Sequence, residues 1–445
     1  MVQYKAIEEK GHGAFARVMI VEDEHGKRFA KKIFSPMPHI LDTVGEAHLK
    51  KRFKREVKYQ SQVKHRNVVP VVEYELDNEV LSFIMPLAEC SLQDELRSDT
   101  LSGATCKKAL FDVLTGLECL HDHGYTHRDL KPANILKFKS ASGDFYYAIG
   151  DFGLMSVAQT DSSTLTMSNT RGGTENYAAP EQIKNFKAAT PSADIYSFGA
   201  LLHDIFGQGA RRIPYTELSL PGPIGTIIAK CTKVTPDQRY KSISTLRNEL
   251  YPILDDSVLE FSSPDEEAMV KSLQKNSRLS HEEWDDILIA LEKQVEELHG
   301  GKNIFYAISE QHLDQLKNEI PELFNALGHY FAEFIAGNTF DFDYCDILAG
   351  KAEKFYKGGG LEIKAEIVLA LLKLGTAHNR WYVERKFLQL AGSDISVNLA
   401  KRIISEIEVE NINFAILISR LEASINASRK ELHPLLLEFI DGAGQ

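Results

Sequence analysis

Apolar and polar residues alternate in short stretches from Tyr4 to about Leu76, punctuated by Gly11, Gly13 and Gly26. A period of two predicts strands, because successive side chains point to opposite faces of a sheet. Within this stretch Phe53, Val57 and Tyr59 predict one helix, and Val68 to Tyr74 predict more strand. After a last apolar strand at Leu81 to Met85 the period changes. Leu110, Val113, Leu114, Leu117 and Leu120 recur at the spacing of one helix face. A small sheet with one helix therefore precedes a mainly α region.

The pattern shifts again near Tyr251-Pro252, where two N-terminal capping signatures follow, Ser263-Pro264-Asp265-Glu266 and Ser280-His281-Glu282-Glu283. The second opens a long helix with the apolar face Trp284, Ile287, Leu288, Leu291, Val295 and Leu298, ended by Gly300-Gly301. Helices are predicted at 309–336, 361–374, 380–391, 396–407 and 412–440, with almost no strand alternation. The division expected is a first domain over 1–255 and an all-α domain over 256–445.

Gly11-His12-Gly13-Ala14-Phe15-Ala16-Arg17-Val18 lies between two predicted strands. A glycine-rich hairpin lets backbone N–H groups approach anionic oxygens, and Phe15 at its tip can keep water out; alone, the pattern is more often a plain tight turn. Lys32 sits on the next strand, within reach of such an anion, and Glu56 on the intervening helix is its natural ion-pair partner. The decisive stretch is His127-Arg128-Asp129-Leu130-Lys131-Pro132-Ala133-Asn134-Ile135-Leu136, followed by Asp151-Phe152-Gly153 after a predicted β-hairpin. Gly173-Thr174-Glu175-Asn176-Tyr177-Ala178-Ala179-Pro180-Glu181, Asp194-Ile195-Tyr196-Ser197-Phe198-Gly199 and Arg239 complete an ordered set.

In these residues the chain resembles the eukaryotic-like protein kinase superfamily, Ser/Thr type, over about residues 4–252. The resemblance implies an α+β, bilobal fold with a β-rich N-lobe (1–85), a hinge (86–90) and a mainly α C-lobe (91–255). It implies ATP and Mg²⁺ as cofactors, with Mn²⁺ as a substitute. Gly11, His12, Gly13, Ala14, Phe15, Ala16, Val18, Ala30, Met85 and Leu87 would surround the nucleotide, and Lys32, paired with Glu56, would hold its phosphates. Asp129 would accept the substrate's proton, Lys131 would contact the γ-phosphate, and Asn134 and Asp151 would hold the metal. Arg239 would pair with Glu181, since a buried carboxylate and guanidinium persist only together. Two departures are present: Ala16 stands at the third loop glycine and Glu175 at a common proline, the second bearing on substrate preference. Lys131 with Thr174 on the peptide-docking shelf favours Ser/Thr over Tyr or dual specificity.

Arg128 is placed to bind a phosphate on the activation segment, which carries Thr160, Ser162, Ser163, Thr164, Thr166, Ser168 and Thr170. A phosphoryl group there can order a loop through charge-assisted hydrogen bonds. Autophosphorylation is expected, with a homodimer allowing it in trans.

Charge is uneven: 32 Lys+Arg stand against 30 Asp+Glu in residues 1–250, and 19 against 33 in 251–445. An acidic second half lacks the clustered cations that nucleic acid needs, and suits recruitment of a basic protein substrate or regulation. The five cysteines are scattered without metal spacing, and no run of 18 apolar residues occurs. A cytoplasmic protein acting on protein substrates, with neither nucleic acid nor membrane as partner, is the expectation. A pseudokinase scaffold is the rival reading, opposed by the presence of Lys32, Glu56, Asp129, Asn134 and Asp151 together. A small-molecule phosphotransferase is opposed by the shelf residues.

Overall fold

A computed structural model describes residues 3–140, 143–154, 156–157, 174–184, 190–207, 209–255, 261–298, 301–425 and 427–442. The chain forms two compact units, Met1–Asp255 and Asp256–Gln445.

The first unit opens with a five-stranded antiparallel sheet in the order β1-β2-β3-β5-β4, built from β1 (Lys5–His12), β2 (Ala16–Glu22), β3 (Arg28–Phe34), β4 (Glu73–Glu75) and β5 (Ser82–Pro86). Helices α1 (Pro38–Val44) and α2 (Glu46–Gln62) follow β3. Phe53 and Val57 on α2 are buried with Phe83 of β5, and this cluster fixes the helix against the sheet. The strand expected over Val68 to Tyr74 is shorter. Val68 only bridges Ile149 and Val69 donates to the Ile149 carbonyl, so this stretch ties the sheet to the next lobe.

That lobe is helical: α3 (Leu92–Ser98), α4 (Gly103–Asp122), α5 (Pro180–Lys184), α6 (Pro191–Phe206), α7 (Gly222–Cys231) and α8 (Ile243–Leu254). Between α4 and α5 lie β7 (Tyr125–Thr126), β8 (Ile135–Lys139) and β9 (Phe145–Ile149); β8 pairs with β9 and with the short β6 (Cys90–Ser91) that precedes α3. The apolar face of α4 read from the sequence is its buried core, with Leu110, Val113, Leu114, Leu117 and Leu120 all at 0% exposure. The α+β bilobal fold is thus present.

The second unit is all-α among the described residues: α9 (Pro264–Lys275), α10 (His281–Leu298), α11 (Lys302–Ala307), α12 (Glu310–Glu319), α13 (Pro321–Gly337), α14 (Phe342–Gly358), α15 (Leu361–His378), α16 (Trp381–Leu390), α17 (Val397–Val409), α18 (Phe414–Ile425) and α19 (Pro434–Gly442). Several elements differ from the sequence reading, the short α11 being one that it did not anticipate. The helix expected at 309–336 is broken at Pro321, which lacks an N–H and opens α13 instead. The stretch 412–440 is likewise divided, with Pro434 starting α19. Helix α14, capped by the Asp341 carboxylate, was not anticipated. The Ser263 cap forms as expected, its hydroxyl accepting from the Glu266 N–H at 3.1 Å, but the Glu266 carboxylate closes the box on Ser262 instead of Ser263. None of the described helices is long and apolar enough to cross a membrane.

Buried polar groups bind the helices together. Arg380 makes a two-pronged pair with Asp346 at 2.8 and 2.6 Å. On α16 Glu384, fully buried, accepts from the Ser424 hydroxyl of α18 at 2.7 Å, while its other oxygen has no partner. Burial pushes its carboxyl up to about 7, against the weaker opposing effects of Ser424 and Arg385. The fold therefore favours protonated Glu384, and this contribution is present below the ordinary carboxylate range and lost as pH rises through about 7. Both tryptophans, Trp284 and Trp381, lie in this unit, so their fluorescence reports its unfolding. We predict that the stability of the wild type relative to Glu384→Gln falls by about 2 kcal/mol between pH 5 and pH 8 in urea titrations. A pH-independent difference is the contrary result.

Candidate active site

The β1–β2 hairpin projects Gly13 to Phe15 over a cleft between the lobes. The Gly13 N–H closes the tip on the Ala16 carbonyl at 2.8 Å, and the tip is tied to the chain after β3 by Ser35 N–H to Phe15 O at 3.2 Å and Met37 N–H to Ala14 O at 3.0 Å. His12 Nε2 lies 3.0 Å from the Ser35 carbonyl. Beneath, a cavity of about 300 Å³ is walled by Val18, Ala30, Phe83, Met85, Leu87 and Leu136, an apolar slot suited to a flat heterocycle. It continues into a chamber of about 620 Å³ lined by the hairpin tip, Lys32, Asp129, Lys131 and Asp151.

In the chamber β3 carries Lys32, and its Nζ lies 2.5 Å from Glu56 Oε1 of α2 and 3.0 Å from Asp151 Oδ1. Burial alone would lower the Lys32 pKa, but Asp151 and Glu56 together hold it above the ordinary lysine value. The same cation, with Lys131, holds Asp151 below the usual carboxylate range despite its burial. Glu56, buried and flanked by another acid, is shifted upward. The three groups form one coupled set with a fixed ammonium at its centre.

Asp194 shapes the segment from His127 to Asn134. Its carboxylate, fully buried on α6, accepts from His127 N–H at 2.9 Å and Arg128 N–H at 2.8 Å, and His121 Nε2 lies 2.9 Å away. These bonds hold Arg128 at a φ of +70°, a conformation a long side chain rarely adopts. The turn that results presents Asp129 to the chamber. Its Oδ2 accepts from Lys131 at 2.8 Å and Asn134 at 3.1 Å, while Oδ1 is without a hydrogen-bond partner. Burial raises the Asp129 pKa, Lys131 pulling against it. Because the amide nitrogen of Asn134 is spent on Asp129, its oxygen is the end left to serve as a ligand beside Asp151.

Thr174 opens a short 3₁₀ turn, Thr174–Asn176, and Glu181 on α5 pairs with Arg239 through two contacts of 2.7 Å. Thr160, Ser162, Ser163, Thr164, Thr166, Ser168 and Thr170 lie outside the described residues. Two contributors escaped the sequence reading. Gln182 fastens the Arg128 carbonyl at 3.1 Å, and Arg52 reaches the Gly153 carbonyl at 2.6 Å. For Arg52 the only available signal was its position one helical turn before Glu56.

Sheet lobe, helical lobe and a cleft with an anchored lysine and a carboxylate that keeps one oxygen unpartnered define a phosphotransferase of the kinase type. A family model described as protein kinase domain matches residues 4–256, and the chain belongs to that family. It is 30% identical over 215 residues to serine/threonine-protein kinase PkaA of Streptomyces coelicolor, covering 44% of this chain and 39% of that protein. With serine/threonine-protein kinase pkn2 of Myxococcus xanthus it shares 30% over 216 residues, 48% of this chain and 25% of the relative. With serine/threonine-protein kinase cds1 of Schizosaccharomyces pombe it shares 32% over 255 residues, 56% and 51% of the two chains. The chain thus spans between about a quarter and about half the length of these curated relatives.

The dependence of the turn on Asp194 is testable. Asp194→Asn sets an amide against two backbone donors and is expected to cost the first unit about 3 kcal/mol. Amide exchange at His127 and Arg128 should accelerate in step, and unchanged protection at both would refute the assignment.

Proposed function

We propose that the chain is a protein kinase that transfers the γ-phosphoryl group of ATP to Ser or Thr hydroxyls of protein substrates. The observation that carries this reading is Asp129, a buried carboxylate lining the chamber, with one oxygen committed to Lys131 and Asn134 and the other without a hydrogen-bond partner. An acceptor so placed can take a hydroxyl proton as the hydroxyl oxygen bonds to phosphorus and the bond to the β–γ bridging oxygen breaks, releasing ADP. Lys131 beside it offsets charge on the transferred group, and Lys32, held by Glu56, fixes the remaining phosphates. The apolar slot under Val18 and Ala30 takes the adenine, with the backbone after Met85 reading its edge.

The Asn134 and Asp151 oxygens fit Mg²⁺, a hard cation that uses one or two protein ligands and completes its shell with phosphate and water. No larger cluster of His, Cys, Asp or Glu is assembled among the described residues. An ion held there would neutralise phosphate charge, and Mn²⁺ would suit the same oxygen donors.

The Ser/Thr assignment follows Lys131 and Thr174 and agrees with the names of the relatives. In the same reading the hydroxyl-rich stretch from Thr160 to Thr170 is the autophosphorylated segment, read by Arg128 and modified in trans within a transient homodimer. The acidic unit over 256–445 recruits basic protein substrates or regulates the first. A scaffold without catalysis has no use for Lys32 set between two carboxylates.

Labelled γ-phosphate should pass from ATP to the chain itself and to a basic protein, appearing on Ser or Thr, and both Asp129→Asn and Lys32→Ala should lower transfer at least about 100-fold. Transfer by wild type that survives Asp129→Asn would overturn the reading. Since Asp129 must be ionised to accept a proton, kcat should rise with pH on the acid side. Lys131 opposes the upward shift of Asp129, so Lys131→Ala should move that limb to higher pH. An unmoved limb would assign the ionisation to another group.

A further inference from the structure

Arg52 is not among the residues that the kinase reading requires, yet the cleft converges on it. Helix α2 places it one turn before Glu56, so both side chains leave the same helix face. The guanidinium carbon sits 4.3 Å from the centroid of the Phe15 ring at the hairpin tip. Its Nε donates to the Gly153 carbonyl at 2.6 Å. A Cβ added at Gly153 would come within 3.3 to 3.5 Å of Asp151 Oδ1, Glu56 Oε2 and an Arg52 terminal nitrogen, which shows how closely the four residues meet. Burial lowers the Arg52 pKa, with Glu56, Asp151 and Asp129 pulling against it.

The hairpin tip, α2 and the Asp151-Phe152-Gly153 turn belong to three separate stretches of chain. A planar cation can stack on a ring with its face while donating from its edge, whereas an ammonium lacks the flat face and the fixed fork. The tip's backbone is already tied to Ser35 and Met37, which leaves the Phe15 ring as its adjustable part.

We infer that Arg52 is a positioning residue for phosphoryl transfer, tying the glycine-rich tip through Phe15 to the Gly153 carbonyl so that closing the loop and seating Asp151 are one event. This rests on the cleft being the ATP site. It assigns Arg52 no contact with the reacting atoms, and it predicts that Phe15 and Arg52 act as a unit.

The test uses the full chain and two readouts: ATP kinetics, and binding of a fluorescent ADP analogue without metal. Arg52→Met should raise the ATP KM about tenfold, lower kcat and weaken analogue binding about tenfold. Phe15→Leu should raise KM about threefold. The double variant should be within about twofold of Arg52→Met, because the second change removes a contact already lost. Arg52→Lys should recover little, and Phe15→Trp, with a larger ring face, should bind the analogue at least as well as wild type. Melting temperatures within about 3 °C of wild type separate these effects from unfolding. Independent, multiplying effects of the two single changes, or full activity in Arg52→Lys, would overturn the inference while leaving the kinase reading intact. A wild-type chain that binds no analogue overturns the reading of the cleft and the inference with it. Binding without transfer leaves the binding arm to decide between them.

Discussion

Everything in the cleft depends on keeping one ammonium charged where water is scarce. Lys32 has two carboxylates within 3.0 Å, from a helix and from a distant turn. An unpaired charge at that depth would shed its proton or disorder the site, because removing one ion from water costs several kcal/mol. Burial shifts Glu56 upward with Lys32 pulling against it, whereas Lys32 and Lys131 hold Asp151 low in spite of its burial. The sheet lobe, α2 and the Asp151 turn must all be in place for this set of charges to form.

A second constraint runs through the helical lobe. Asp194 gives both oxygens to the backbone that precedes Asp129, and Gln182 takes the Arg128 carbonyl from the other side. The backbone at Arg128 is held in a left-handed conformation that local sequence disfavours, so tertiary bonds must hold it. Glu181 and Arg239 perform the equivalent service for α5, with the guanidinium fully buried and also bonded to the Ser192 and Lys233 carbonyls. These buried ionic contacts fix geometry more than they add stability, which agrees with the general cost of burying charge.

How much of this was legible in the sequence varied with the range of the interaction. Asp129, Lys131 and Asn134 lie within six residues and meet through a local turn, so their spacing alone carries their juxtaposition. The α4 face was readable because every apolar position on it is buried in one core. Arg52 was not readable: an arginine on a charged helix looks like a solvated side chain until the fold brings Phe15 and Gly153 to it. The misread helices of the second unit have a different cause. Pro321 and Pro434 sit inside apolar patterns that continue across them, and periodicity does not register a missing N–H. Helix α14 escaped because Lys351 and Asp346 interrupt its apolar face, both being buried by pairing that only the fold supplies.

Those two residues bear on what the second unit is. Lys351, buried on α14, donates to the Phe305 and Tyr306 carbonyls at the end of α11, and burial drops its pKa to about 7. Asp346 on the same helix is locked to Arg380 beyond α15, and Glu384 follows one turn later. A packed helical stack needs none of these groups for apolar burial, and each lowers its tolerance for substitution. What they supply is register: an amine that fits only a helix end, a bidentate pair that fits only one offset, and a carboxyl that fits only one hydroxyl. The unit is built to hold one helix arrangement, and a surface presented by such a stack keeps its shape, as recruitment of a partner would require.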